Sequence, residues 1–169
     1  MQNMAPTLTT ERLTLRPIAL DDFDKFAMLL ASPRSEGMGG PYGTHEAWGI
    51  FCHEVALWPL FGHGGLSIEL QATGECVGIV EINAGPLFPE RELGWQVYEE
   101  YEGSGYVTEA ARAYLDWAFN ELRLRTLVSY IDPSNVRSIA VAERLGGALD
   151  HSAPKQDPED LVYRYFPSV

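Results

Sequence analysis

The chain has 169 residues, 46% of them hydrophobic and 21% charged, enough for one domain with a sizeable core and ordinary for a soluble globular protein. A formal net charge of −12 argues against nucleic acid as a partner, because the phosphates would repel it, and suits a cationic substrate better. No apolar run approaches the roughly 18–20 residues of a membrane span; Met1-Gln2-Asn3-Met4-Ala5-Pro6 lacks the basic region and apolar core of a secretory signal; and Cys52 and Cys76 alone make no disulfide scaffold, so a reducing, cytoplasmic setting is expected.

Leu13-Thr14-Leu15-Arg16 alternates as a short strand. Asp21 reads as the cap of a helix through about Leu30, with Asp22 and Asp24 in its first turn. Residues 33–43 hold Pro33, Gly37, Gly39, Gly40, Pro41 and Gly43 and read as a loop, either a connector or a mobile substrate-side segment. Thr44 predicts a second helix to about Trp58, ended by Pro59 and Gly62. Leu66 to Leu70 and Cys76 to Ile82 form a hairpin through a turn at Gly74, and Glu92 to Tyr98 is a fourth strand. From Tyr106, the apolar residues Val107, Ala110, Ala111, Tyr114, Leu115, Ala118 and Leu122 recur at helical spacing. Arg125 to Ile131 is a β-branched and aromatic strand, Asp132-Pro133-Ser134-Asn135 a turn and cap, and a last helix runs from about Val136 to Leu145 before Gly146-Gly147. Leu161 to Phe166 closes the chain as a strand. The pattern predicts one α/β (α+β) domain, 1–169 with its core at about 8–166, built on a mixed sheet.

The segment of most chemical interest is Glu102-Gly103-Ser104-Gly105-Tyr106-Val107-Thr108-Glu109. It follows a strand and opens a helix. Glycine lets main chain approach a ligand closely, and the first amides of a helix have no internal partner, so this arrangement suits a phosphate. Thr108 stands where a dinucleotide fingerprint needs its third glycine, and no Walker A lysine is present. Asp132 imitates the ribose-binding acid of such a fingerprint, which keeps a nucleotide-dependent oxidoreductase as a distant alternative. His45, His53, His63 and His151 lack the spacing of a metal site, so none is expected.

Four segments in order, Glu92-Leu93-Gly94-Trp95-Gln96-Val97, Gly103-Ser104-Gly105-Tyr106-Val107-Thr108-Glu109-Ala110, Asp132-Pro133-Ser134-Asn135-Val136-Arg137-Ser138 and Glu143-Arg144-Leu145-Gly146, together resemble the GNAT acetyltransferases. Thr10-Glu11-Arg12-Leu13-Thr14-Leu15-Arg16-Pro17 adds a likeness to the branch of ribosomal-protein N-terminal acetyltransferases. The resemblance implies a mostly antiparallel sheet of six to seven strands, flanked by about four helices and splayed between the fourth and fifth strands. It implies acetyl-CoA as co-substrate, transferred by direct attack of a primary amine, with either a protein N-terminus or a small molecule as acceptor. A homodimer is left open, and a non-catalytic acyl-CoA-binding regulatory domain is the alternative.

By position, the resemblance assigns the pyrophosphate to the main-chain amides of Gly103, Ser104, Gly105, Tyr106, Val107 and Thr108, and the pantetheine arm to Trp95, Gln96 and Val97. It makes Asn135 a further contact to that arm and Ser138 the hydroxyl that protonates the departing thiolate, with Tyr106 and Tyr130 as rival acids. Glu92 is the expected base or substrate-binding acid, because amine attack requires proton removal; Glu81 and Asn83 come next, and Trp48 is a candidate wall of the acceptor pocket. Three positions depart from the family pattern. Glu102 sets a carboxylate beside the expected pyrophosphate, Val107 replaces a small residue, and Gly147 replaces an aromatic.

Overall fold

The computed structural model describes residues 4–168. Eight strands form one sheet in the order β1-β2-β3-β4-β5-β6-β8-β7. They are β1 (Leu8–Thr9), β2 (Leu13–Pro17), β3 (Gly65–Leu70), β4 (Cys76–Asn83), β5 (Glu92–Val97), β6 (Leu127–Ile131), β7 (Ala148–Leu149) and β8 (Leu161–Tyr165). Neighbours pair antiparallel except β5 and β6, which are parallel. The predicted strands are all present. The additional β1 and β7 have two residues each, too few to show an alternation in sequence.

Four α-helices flank the sheet: α1 (Phe23–Leu30), α2 (Thr44–Phe61), α3 (Tyr106–Asn120) and α4 (Val136–Arg144). On one sheet face Leu13, Leu15, Leu66, Ile68, Val80, Ile82 and Leu93 pack against Ala110, Ala111, Tyr114, Leu115 and Ala118 of α3. Each buried Leu, Ile or Val there contributes about 1.5–3 kcal/mol. The opposite face carries Ile79, packed against Phe26 and Leu30 of α1 and Ala47 and Phe51 of α2. By the two-residue period of strands, Glu81, Asn83, Glu92, Gly94 and Gln96 share that second face.

Two helix starts differ from expectation. Asp21 does not cap α1. The chain enters through a 3-10 turn at Leu20–Asp22, and Asp22 reaches back to accept from the Ala19 amide at 2.9 Å. Thr44 is the first residue of α2, and Gly43 is its cap. Pro59 is accommodated in the last turn, so the helix continues to Phe61 before Gly62 ends it with φ +77°. Within the 33–43 loop, Pro33–Met38 forms a 3-10 segment.

Candidate active site

The ladder between β5 and β6 has one register pair, Glu92 with Val128. The Val128 amide donates to Arg91 O at 3.1 Å. One step later the regular pattern stops. The Ser129 hydroxyl, not a main-chain amide, donates to Leu93 O at 2.5 Å, and the Tyr130 main-chain amide donates to the Glu92 carboxylate. Beyond that point β5 has an open edge. Leu93 O and Val97 O face the open side, since they accept from Ser129 and from Arg34 Nη2 (2.9 Å). Tyr98 N faces β4, where it donates to Val77 O. Alternation along the strand therefore directs the Trp95 and Val97 amides to the open edge and the Gln96 amide into the β4 ladder. Of the three residues expected to offer edge amides, Gln96 is the one the register turns away; its side chain instead lies buried beside Glu81.

The glycine loop follows. Gly103 (φ +75°) and Gly105 (φ +78°) occupy the left-handed region, which an L side chain adopts only at a cost. Gly105 is the N-cap of α3 and supplies no side-chain cap, so the Tyr106, Val107 and Thr108 amides have no helical acceptor. Gly103, Ser104 and Gly105 are exposed. Arg12 braces the loop: its Nη1 donates to Ser104 O (2.9 Å), its Nε to Glu109 (2.7 Å), and its guanidinium lies 4.6 Å from the Tyr106 ring centroid. This adds a cation next to the helix dipole.

The departures have structural answers. Glu102 is not a free negative charge at the loop; its carboxylate pairs with Arg34 and, at 2.6 Å, with Arg137. Arg34 spans Glu102 and Val97 O, which lays the Pro33–Met38 segment along the open edge. Val107 is buried, so its bulk is directed inward. At Gly147 an added Cβ would stand 2.7 Å from the Tyr165 ring, which occupies that space.

On the face shared with α2 the strands gather a buried acidic cluster, the candidate acceptor pocket. Gly65, Glu81 and Gly94 stand opposite one another across β3, β4 and β5, and Asn83 stands opposite Glu92 one step along. Both glycines leave room for carboxylates: a Cβ on Gly94 would lie 2.7 Å from Glu81 Oε1, and one on Gly65 would lie 3.1 Å from Glu54 Oε2. Glu54 and Glu81 are buried, and Asn83 Nδ2 donates to Glu92 at 3.1 Å. Among the described residues none of the three carboxylates joins an ion pair. Burial, and then mutual repulsion, raises Glu54 to about 8 and Glu81 well above the usual range; burial raises Glu92 to about 7, against the lowering bonds from Asn83 and Tyr130. Beside them His63 is buried and held neutral by burial, its Nδ1 at 2.8 Å from Ile82 O and its Nε2 accepting from Arg91 at 3.2 Å.

Asn135 caps α4, accepting from the Ser138 amide at 3.1 Å. The Arg137–Glu102 pair draws that first turn toward the glycine loop, and Ser138 with it. Tyr130 accepts from the Glu90 amide at 3.0 Å, and Trp48 is exposed, edge-on to Phe23. Asp132 closes a local turn by accepting from the Ser134 amide and hydroxyl. Among the described residues no group of three acids, histidines or cysteines is arranged to hold a metal.

Sequence reasoning missed Glu54, Arg12 and Arg34. For Glu54 a signal was present: it falls on the stripe Ala47, Phe51, Glu54, Leu57, Trp58, a glutamate at a core-facing position of α2.

A model of the GNAT acetyltransferase domain matches residues 12–148. An acetyltransferase from Agrobacterium tumefaciens str. C58 is 60% identical, with TM-score 0.94 over 97% of this chain and 96% of that one. YkkB of Bacillus subtilis (strain 168), an uncharacterized protein, is 46% identical over 95% of this chain and 96% of its own length. The ribosomal L7/L12 α-N-protein acetyltransferase RimL, solved in complex with coenzyme A, shares the fold at TM-score 0.77 with 17% identity, over 95% of this chain and 98% of that one.

Proposed function

This chain belongs to the GNAT acetyltransferase family, and on that premise we propose that it acetylates a small cationic primary amine with acetyl-CoA, using the open edge of β5 and the acidic pocket beside it. The observation that carries the reading is the end of the β5–β6 ladder, where unpaired main-chain donors and the Glu92 carboxylate meet.

The donor fits the groups present. Acetyl-CoA supplies an acetyl group activated as a thioester. The Trp95 and Val97 amides suit the amide-bearing arm, and the amides from Gly103 to Thr108 suit the pyrophosphate. Arg12, and the Arg34–Arg137 pair shared with Glu102, keep the local charge from being negative. Asn135 spends its side-chain oxygen on the helix cap and keeps its amide nitrogen for a ligand.

At the acceptor end, Glu92 takes a proton from the ammonium, directly or through water, which leaves a neutral nitrogen to attack. A carboxylate titrating at about 7 is poised for this task near neutral pH. The C–N bond forms as the C–S bond breaks, and Ser138 holds a hydroxyl proton for the departing sulfur. Asn83 holds the Glu92 carboxylate in place through its Nδ2 donor, and Glu81 adds negative charge beside it. Holding both reactants in line supplies on the order of 7–11 kcal/mol in well-aligned cases. The free thiols of Cys52 and Cys76 suit a reducing cytoplasm.

Calorimetric titration with acetyl-CoA, followed by thiol release on adding primary amines, tests the proposal. Saturable binding and amine-dependent release are expected; no binding at millimolar acetyl-CoA would overturn it.

A further inference from the structure

The acidic pocket holds more unmet acceptors than one reacting amine satisfies. Glu54 Oε2, Glu81 Oε2, Asn83 Oδ1 and Gln96 Oε1 are all buried without a hydrogen-bond partner, and their residues are 4–7% exposed. The two amide oxygens accept only, the two carboxyl oxygens accept once ionised, and a buried acceptor left unpaired costs about 1–3 kcal/mol. Asn83 and Gln96 have already turned their amide nitrogens to Glu92 and Glu81, which leaves their oxygens for something else. The group that completes such a pocket brings several N–H donors and positive charge. One ammonium has three donors, and the reacting nitrogen must give up a proton and turn its lone pair to the acetyl carbon.

The acidic cluster also draws on three strands and a helix. Glu92 lies on β5, whereas Glu54 lies against Gly65 of β3, two strands away and one step along. Strand spacing makes that roughly 10 Å across and about 7 Å along between main-chain positions, and the side chains converge from both ends. Taking the amine-acetylation reading as its basis, we propose that Glu54 and Glu81, with the amide oxygens of Asn83 and Gln96, form a second ammonium subsite, so that the acceptor is a small diamine whose other nitrogen is acetylated beside Glu92. Glu54 is then a specificity-determining residue.

The experiment compares kcat/KM for α,ω-diaminoalkanes of three to six carbons with monoalkylamines of equal length, and with a short peptide bearing a free α-amine, on the full chain. A diamine preference of about tenfold or more is expected, carried mainly by KM. In Glu54→Gln that preference is expected to collapse to within about threefold. Equal kcat/KM for diamine and monoamine, or a preference for the peptide, would overturn the second subsite and leave amine acetylation standing. If acetyl-CoA binds but no amine releases thiol, the acceptor reading itself fails and the subsite with it. The wild-type comparison decides the matter even where the variant does not fold, and Glu81→Gln supplies a second variant with the same expected loss of preference.

Discussion

Glu81 folds its carboxylate over Gly94 on the neighbouring strand, with Oε1 only 2.7 Å from where a Cβ would stand and its Cγ and Cδ at 3.1 Å. Gly94 thus makes room for the Glu81 carboxylate in the acidic cluster. Gly94→Ala is expected to push Glu81 aside, at an overpacking cost of about 1–3 kcal/mol. Steady-state kinetics should show kcat/KM for the amine falling at least tenfold, while calorimetry shows acetyl-CoA affinity within about threefold of wild type.

Gly105 tests the donor side separately. At φ +78° it places the first amides of α3 at the loop surface. Gly105→Ala carries a left-handed residue that costs about 1–2 kcal/mol, and the strain is relieved by turning the loop amides. Acetyl-CoA affinity is expected to fall at least tenfold by titration, with a smaller loss of stability by urea unfolding.

Asp22 is a structural acid whose pH dependence has the opposite sign to that of the pocket. It accepts two bonds from Arg16, at 2.8 and 2.9 Å, and one each from the Ala19 amide and the Ser67 hydroxyl. Burial opposes ionisation, but these bonds together hold it at about 2, below its ordinary 3.8. A depressed carboxylate stabilises the fold above its unfolded value and loses that contribution as pH falls toward the folded value. Wild type should lose about 2 kcal/mol between pH 4 and pH 2 from this group, and Asp22→Asn should lack that step and be less stable at pH 7. Urea unfolding across pH measures both.

Glu54 behaves in reverse. Burial raises it to about 8, so the folded chain holds a proton between about pH 4.5 and 8 that the unfolded chain has released. Stability therefore falls as pH rises through that window. Glu54→Gln removes the penalty and should raise Tm at pH 8 relative to wild type, with a smaller gain at pH 6, while raising KM for the acceptor. A thermal melt at pH 6 and pH 8 separates this from a plain packing defect, which would lower Tm at both.

The parts of this molecule that were legible in sequence are those whose cause is local. The α3 stripe, the glycine loop and the Asn135 cap each depend on residues within one turn of one another. What was not legible depends on register. Glu54 acquires its role only because Gly65 and Gly94 leave space on strands far along the chain, and Gln96 loses its edge amide only because alternation turns it toward β4. Glu102, a departure from the family pattern on its own, becomes intelligible once Arg34 and Arg137 are brought to it from distant elements. Asp21 and Thr44 miscarried as caps because a 3-10 turn and Gly43 satisfy those helix starts instead.

Glu92, whose carboxylate accepts from Asn83 and Tyr130 at the last pair of the β5–β6 ladder, is the proposed base for amine acetylation. The pH dependence of kcat/KM for the amine, in wild type and Glu92→Gln, measures it most directly. Wild type is expected to give a profile that rises through about pH 7 as Glu92 deprotonates, and the variant to be about 10²-fold slower or more without that limb. A Glu92→Gln variant with the wild-type rate and an unaltered profile would contradict it.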